Sequence, residues 1–155
     1  MKRSIVRRML VNLAFAVMLT AVLPTAYGQS CSLARAAGKY GFADSGTVIG
    51  IGPRAADAIL TLDAAGNIGG PVTASLNGGV THTRLSGTYT VNRDCTGTVN
   101  FSEFDLSGNL IITATADFLW DDNMREIRFI FTSATLANGI PLETVINGDA
   151  RKLVP

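Results

Sequence analysis

The sequence predicts an all-β domain, a single eight-stranded antiparallel up-and-down barrel, behind an N-terminal export signal. Three observations point there. From residue 38 onward, polar and apolar side chains alternate with a period of two, and no amphipathic stretch is long enough for a helix to compete. Turn-forming residues recur at short, regular intervals. The runs between them are rich in β-branched and aromatic residues, which suit the half-buried surface of a sheet.

The export signal comes first in the chain. Lys2, Arg3, Arg7 and Arg8 make a basic start, and Leu13 to Leu23 is an apolar run broken only by Thr20. Pro24 leads into Ala26-Tyr27-Gly28, which puts small residues in place for a cut before Gln29. Residues 1–28 are therefore expected to be a signal peptide and 29–155 the exported domain, secreted or periplasmic. Arg7-Arg8 also fits a loose twin-arginine pattern, although a Sec-type signal is the simpler reading. The apolar run is short for a membrane span and no second one follows, so no span is expected after cleavage.

Cleavage changes the charge. All 12 acidic residues lie beyond residue 28, while four of the 13 basic ones lie before it, so the mature chain carries nine cations against twelve anions, a net −3. Nucleic-acid binding needs a basic face and is not expected. No polybasic patch for anionic lipid is present either. Cys31 and Cys95 both survive cleavage into an oxidising compartment, which favours a disulfide over two free thiols. A metal site would need more ligands than a single histidine can add, and a nucleophilic cysteine would need His82 close in space. No metal and no cofactor are expected.

Eight strands are expected, over about 38–48, 55–63, 67–76, 80–91, 96–103, 109–120, 125–133 and 142–152. After the first, Pro53 suits a loop, and Arg54 to Ala58 is the one place free to form a helical turn. Asp63-Ala-Ala-Gly66-Asn67 and Asn77-Gly78-Gly79 bound the third strand. The fourth is the clearest: Thr81, Thr83, Leu85, Gly87, Tyr89 and Val91 alternate with the polar His82, Arg84, Ser86, Thr88 and Thr90. Asn92-Arg93-Asp94 leads into the fifth, and Ser107-Gly108-Asn109 into the sixth. In the sixth, Leu110, Ile112, Ala114, Ala116, Phe118 and Trp120 share one side. Asp121-Asp122-Asn123 turns into the seventh, with Ile127, Phe129 and Phe131 opposed by Glu126 and Arg128. Asn138-Gly139 and Asn147-Gly148 are the last of the turn signals, around a final strand at about 142–152. A sheet with one apolar face must close into a barrel or fold over as a β-sandwich, and short sequential turns favour the barrel.

Four stretches carry a family resemblance: Cys31-Ser-Leu33, Tyr40-Gly-Phe42, Leu62-Asp-Ala-Ala-Gly66-Asn67, and Leu85-Ser-Gly-Thr-Tyr-Thr-Val-Asn-Arg-Asp-Cys-Thr-Gly-Thr98. They resemble a group of small exported bacterial proteins of unknown function. That group is similar in turn to the allene oxide cyclase barrel and the wider lipocalin-like (calycin) class. The resemblance spans about residues 31–150 and implies a barrel, with no catalytic motif to carry over. Fold similarity alone does not license a function.

Three functions suit such a domain. The first is a non-enzymatic binder of a small apolar ligand, with Tyr89, Phe118 and Trp120 as the expected walls, among apolar-face aromatics that also include Phe101, Phe129 and Phe131. Trp120, the single tryptophan, ends its strand and is expected at a barrel rim. The second is a cofactor-free cyclase or isomerase, which needs an inward polar group; Tyr89 is the first candidate and Asn100 the next. The third is a structural, envelope-associated domain with a filled core and no ligand. His82, on a polar face, reads as a solvated surface residue. Asp117 and Arg128 read as a cross-strand surface pair. Asp121-Asp122-Asn123 lacks the ligand spacing of a calcium loop and reads as a turn.

Overall fold

Alternation from Gly38 to Lys152 sends every second side chain inward, and eight strands close the resulting face upon itself. In the computed structural model, which describes residues 30–153, a short helix α1 (Leu33–Ala36) precedes β1 (Gly38–Val48), β2 (Gly52–Leu62), β3 (Asn67–Leu76) and β4 (Gly79–Tyr89). Then follow β5 (Thr96–Phe104), β6 (Leu110–Asp121), a 3-10 turn (Asp122–Met124), β7 (Glu126–Leu136) and β8 (Thr144–Lys152). Each strand pairs antiparallel with the next, and β8 returns to β1, making a closed barrel with no free edge. The export segment lies outside the described residues. No helix among the described residues is long and apolar enough to cross a membrane.

Two hairpins share one local solution. Asp63-Ala64-Ala65-Gly66-Asn67 and Asp105-Leu106-Ser107-Gly108-Asn109 each fold around an aspartate that accepts from backbone N–H groups two and four residues ahead, at 2.8–2.9 Å. The Asn side chain closes each loop on the second carboxylate oxygen, at 2.7 and 2.8 Å. Gly66 and Gly108 take φ of +91° and +88°, which a side chain would resist. These bonds favour the charged carboxylate, and they hold both aspartates below the usual carboxylate range.

Three features depart from the sequence expectation. Arg54 to Ala58 is strand, not helical turn, because Arg54, Ala56, Ala58, Leu60 and Leu62 form one inward row beside β1. Pro53 is tolerated one residue into β2, beside the hairpin, and its carbonyl accepts from Asn77 N–H at 2.8 Å. β7 continues to Leu136: a bulge at Thr132 shifts the inward phase from Phe129 and Phe131 to Ala134, which breaks the alternation that sequence reading follows. Helix α1 is the third. Ser32 caps it, accepting from Arg35 N–H at 3.4 Å, and fully buried Ala36 packs against the barrel core.

That helix closes one end of the barrel. The Tyr40 hydroxyl donates to the carbonyl of Ala36 at 2.8 Å or Met124 at 3.0 Å, and Lys152 Nζ donates to Arg35 O at 3.0 Å. These bonds satisfy carbonyls that a helix end leaves orphaned. The Cys31–Cys95 disulfide, with Cα atoms 5.1 Å apart, ties the segment before α1 to the β4–β5 turn. Inward glycines make room for rings at two places. A Cβ at Gly97 would lie 2.7 Å from Trp120 Cζ3, and one at Gly148 would lie 2.6 Å from Phe129 Cζ. At the opposite end, the hairpin tips expose Ile49, Ile51, Val80, Leu106 and Ile140.

Candidate functional site: a polar corner in an aromatic barrel

The inward rows stack in tiers. Against α1 lie Tyr40, Tyr89 and Trp120; the next tier holds Phe42, Phe118 and Phe129, whose rings meet at 5.7–6.1 Å between centroids. Above these, towards the hairpin end, lie Asp44 from β1, Arg54 from β2, Thr83 from β4 and Glu103 from β5. The space left among the second and third tiers is a cavity of about 50 Å³, walled by residues such as Leu60, Val72, Phe101 and Phe131. That is room for a few water-sized occupants at roughly 10–15 Å³ each.

Two diagonal cross-strand pairs organise the polar corner. Gly46 lies opposite Arg54 in the β1–β2 register, so Asp44 is its diagonal neighbour. Arg54 Nε and Nη2 donate to the two Asp44 oxygens at 3.2 and 3.0 Å, with both side chains little exposed. This bidentate geometry is the strongest a guanidinium makes. The Arg54 guanidinium also lies 5.7 Å from the centroid of the Phe131 ring. Across the β4–β5 pair, Thr83 Oγ1 donates to Glu103 Oε2 at 3.2 Å, again on a diagonal. Glu103 is only 7% exposed, and among the described residues nothing donates to its other oxygen. Burial pushes the Asp44 carboxyl up to about 6. Arg54 opposes that rise, while Glu103 and Asp57 add to it by like charge.

Of the three expected ligand walls, Phe118 lines the cavity. Trp120 lies one ring below, edge-on to Phe118 at 5.5 Å, and Tyr89 packs on Trp120 at 6.2 Å. Both Trp120 and Tyr89 face the end that α1 closes, so the rim at Trp120 is a floor and not an entrance. The Tyr89 hydroxyl points inward, as alternation predicts, but donates to Asp63 O at 2.7 Å. Burial raises its pKa to about 12, as it does for Tyr40. The Trp120 indole N–H is buried and makes no hydrogen bond to any described residue.

Asn100 points outward and accepts from Thr115 Oγ1 at 3.0 Å, because Val99 and Phe101 take the inward phase of β5. His82 is exposed beside Thr73, with Nδ1 3.1 Å from Oγ1. Arg128 pairs with Asp121 at 3.3 Å and not with Asp117, since Asp117 stands opposite Ile130 and accepts from Thr98. No cluster of metal-ligating side chains occurs among the described residues.

No family model and no curated protein matches the chain. Among solved structures, a redesigned β-barrel, mFAP1, bound to DFHBI, aligns at 13% identity with a TM-score of 0.52, over 78% of this chain and 98% of its own. A second redesigned β-barrel aligns at 12% identity and TM-score 0.49, over 80% and 100%. The first likeness is one of fold: an eight-stranded barrel, without a link to the allene oxide cyclase or lipocalin families.

Proposed function

We propose that this protein is exported and acts as a non-enzymatic binder, holding a small and mostly apolar molecule inside its barrel. The carrying observation is the cavity, about 50 Å³ of space between an aromatic tier and a corner of charged groups. Protein interiors ordinarily close such space, and buried charge adds little stability by itself. The volume is well below the roughly 300–1,000 Å³ of sites for drug-sized ligands and below the roughly 150 Å³ that holds a benzene, so the occupant is a molecule of a few non-hydrogen atoms. Phe118 supplies a wall, with Trp120 and Tyr89 as the layer beneath it. The redesigned barrel bound to DFHBI lends this reading the support of a similar fold with a ligand. The Cys31–Cys95 bridge supports an oxidising destination, secreted or periplasmic, after a cut before Gln29.

Native mass spectrometry of protein from its host reads both parts of the proposal. The mature mass starting at Gln29 with one disulfide, and a co-purifying small molecule, are the expected results. Trp120 emission should then shift and saturate as extracts of host metabolites are titrated in, since Trp120 touches the cavity wall through Phe118. Flat emission and no bound mass would leave the structural, envelope-associated domain as the reading.

One observation favours a second function, a cofactor-free cyclase or isomerase. Asp44, with its pKa near 6, is matched to moving a proton at neutral pH, whereas Tyr89 is not. Turnover that is lost in Asp44→Asn while ligand still binds would select it.

A further inference from the structure

We propose that the hairpin end of the barrel docks on a zwitterionic lipid surface, with an apolar tip from each of its four hairpins entering the headgroup layer. The β1–β2, β3–β4, β5–β6 and β7–β8 connections all lie at this end, at every second position around the closed sheet. Their tips expose Ile49 and Ile51, Val80, Leu106, and Ile140, with Leu110, Ile111 and Val145 just behind them. Eight of the twelve large apolar side chains exposed among the described residues thus lie at one end. Single exposed apolar residues are ordinary, but their concentration at one end of a molecule marks a contact surface. The opposite end, beside α1, carries Arg35, Asp63, Arg93, Asp94, Arg125 and Lys152 instead. Ser30 and Leu153, where the described chain begins and ends, are hydrogen-bonded there, to Arg35 and Lys39.

Charge and shape choose the occupant. Residues 48–53, 76–81, 104–111 and 136–144 include no lysine or arginine, and their charged members are Asp105 and Glu143. Anionic lipid is held by basic side chains, so this end suits headgroups without net charge. A specific protein interface covers about 800 Å² per partner as one close-packed patch. Here the tips stand apart: a Cβ added at Gly50, Gly78, Gly108 or Gly139, one in each hairpin, would meet no atom within 4 Å. In the β2–β3 hairpin at the other end, a Cβ at Gly66 would lie 3.0 Å from the Tyr89 carbonyl oxygen. A fluid headgroup layer fills the gaps between separate points, whereas a rigid partner needs a matching shape. Two copies meeting tip to tip would also bring carboxylates together with no cation to face them. Insertion is shallow, because the N–H and C=O groups of the turns need water. The outward rows of the wall, with exposed Arg84, Asp117 and Arg128, stay in water as well. This surface is separate from the cavity and does not depend on what fills it.

The test is co-sedimentation of the protein, purified from its host, with vesicles of phosphatidylcholine alone or with phosphatidylglycerol as the minor component. Expected is saturable binding to phosphatidylcholine that survives high salt and does not strengthen with phosphatidylglycerol. Leu106→Ser should weaken it about threefold, and Ile49→Ser, Val80→Ser, Leu106→Ser and Ile140→Ser together about tenfold or more. Ile59→Ser with Ile130→Ser, exposed on the wall of the barrel, should leave binding as it was. Unfolding midpoints check that each variant is intact, and Leu106→Ser with the wild-type lipid comparison suffices should the combined variant fail to fold. Wild type that stays in the supernatant with phosphatidylcholine overturns the proposal. So does binding that is tighter with phosphatidylglycerol, or that the tip variants retain. A lipid-free dimer that Leu106→Ser dissociates overturns it in favour of a second copy as the occupant.

Discussion

An aspartate inside a barrel is costly unless its desolvation is offset, and Asp44 has a partial offset in Arg54, 3.0 Å away. Burial still prevails, raising its pKa from 3.8 to about 6. The folded state therefore favours the neutral acid more than the unfolded chain does. Its stabilising contribution is complete below about pH 4 and is lost as pH rises through about 6. The swing is on the order of 2–3 kcal/mol. Denaturant midpoints of wild type and Asp44→Asn measured across this range should show it: the wild type declines relative to the variant as pH rises, and the gap stops changing above about pH 7. Parallel curves would mean that Asp44 is solvated. The slope is the readout, because Asn leaves Arg54 facing Glu103 alone and shifts the absolute midpoint for a separate reason.

At the scale of elements, the end of the barrel beneath Trp120 depends on four helical residues that have no stability by themselves. The disulfide at Cys31 and the hydrogen bonds from Tyr40 and Lys152 hold α1 there. The bridge closes a loop with a sequence separation of 64, which on the chain-entropy view is worth about 4 kcal/mol. Cys95→Ser should cost about 2–5 kcal/mol in denaturant unfolding. It should also speed hydrogen exchange at the Ala36 and Ala37 amides, which bond to Ser32 and Leu33 carbonyls, ahead of the strand amides. Unchanged exchange there would show that α1 is held by packing alone. Ser32 before Leu33-Ala34-Arg35-Ala36 is a legible N-cap signal, but four residues show no periodicity from which to place a helix.

At the scale of the whole molecule, closure of β8 on β1 converts eight half-buried strands into one interior, and the sum of inward volumes then decides whether space remains. Ala56, Ala58 and Ala116 put small side chains around the same height as Phe101 and Phe131, and the cavity lies among them. Ala116→Val adds two carbons to that space. Its expected effect is a neutral or slightly raised unfolding midpoint, together with loss of ligand binding. A loss of about 1–3 kcal/mol, the usual cost of overpacking, would show instead that the interior is already full.

The barrel with its register-setting turns is readable from residues alone, as is the expectation of export, because both rest on local chemistry. A basic-apolar-small pattern, alternation of period two, and Asp-x-x-Gly-Asn or Asn-Gly turns each act within about ten residues. The same alternation, carried two residues past Phe42, back from Ala56 and on from Phe101, puts Asp44, Arg54 and Glu103 on inward rows. That much of the site was legible, although the apolar residues beside them draw attention first. Their meeting was not, since Asp44 reaches Arg54, and Arg54 reaches Phe131, only after the strands twist and close. The Thr132 bulge, the closing of the Trp120 end by α1, and the volume of the cavity were likewise settled by tertiary structure. Each depends on how side chains from separate strands fill a shared interior, and packing of that kind leaves no period in the chain.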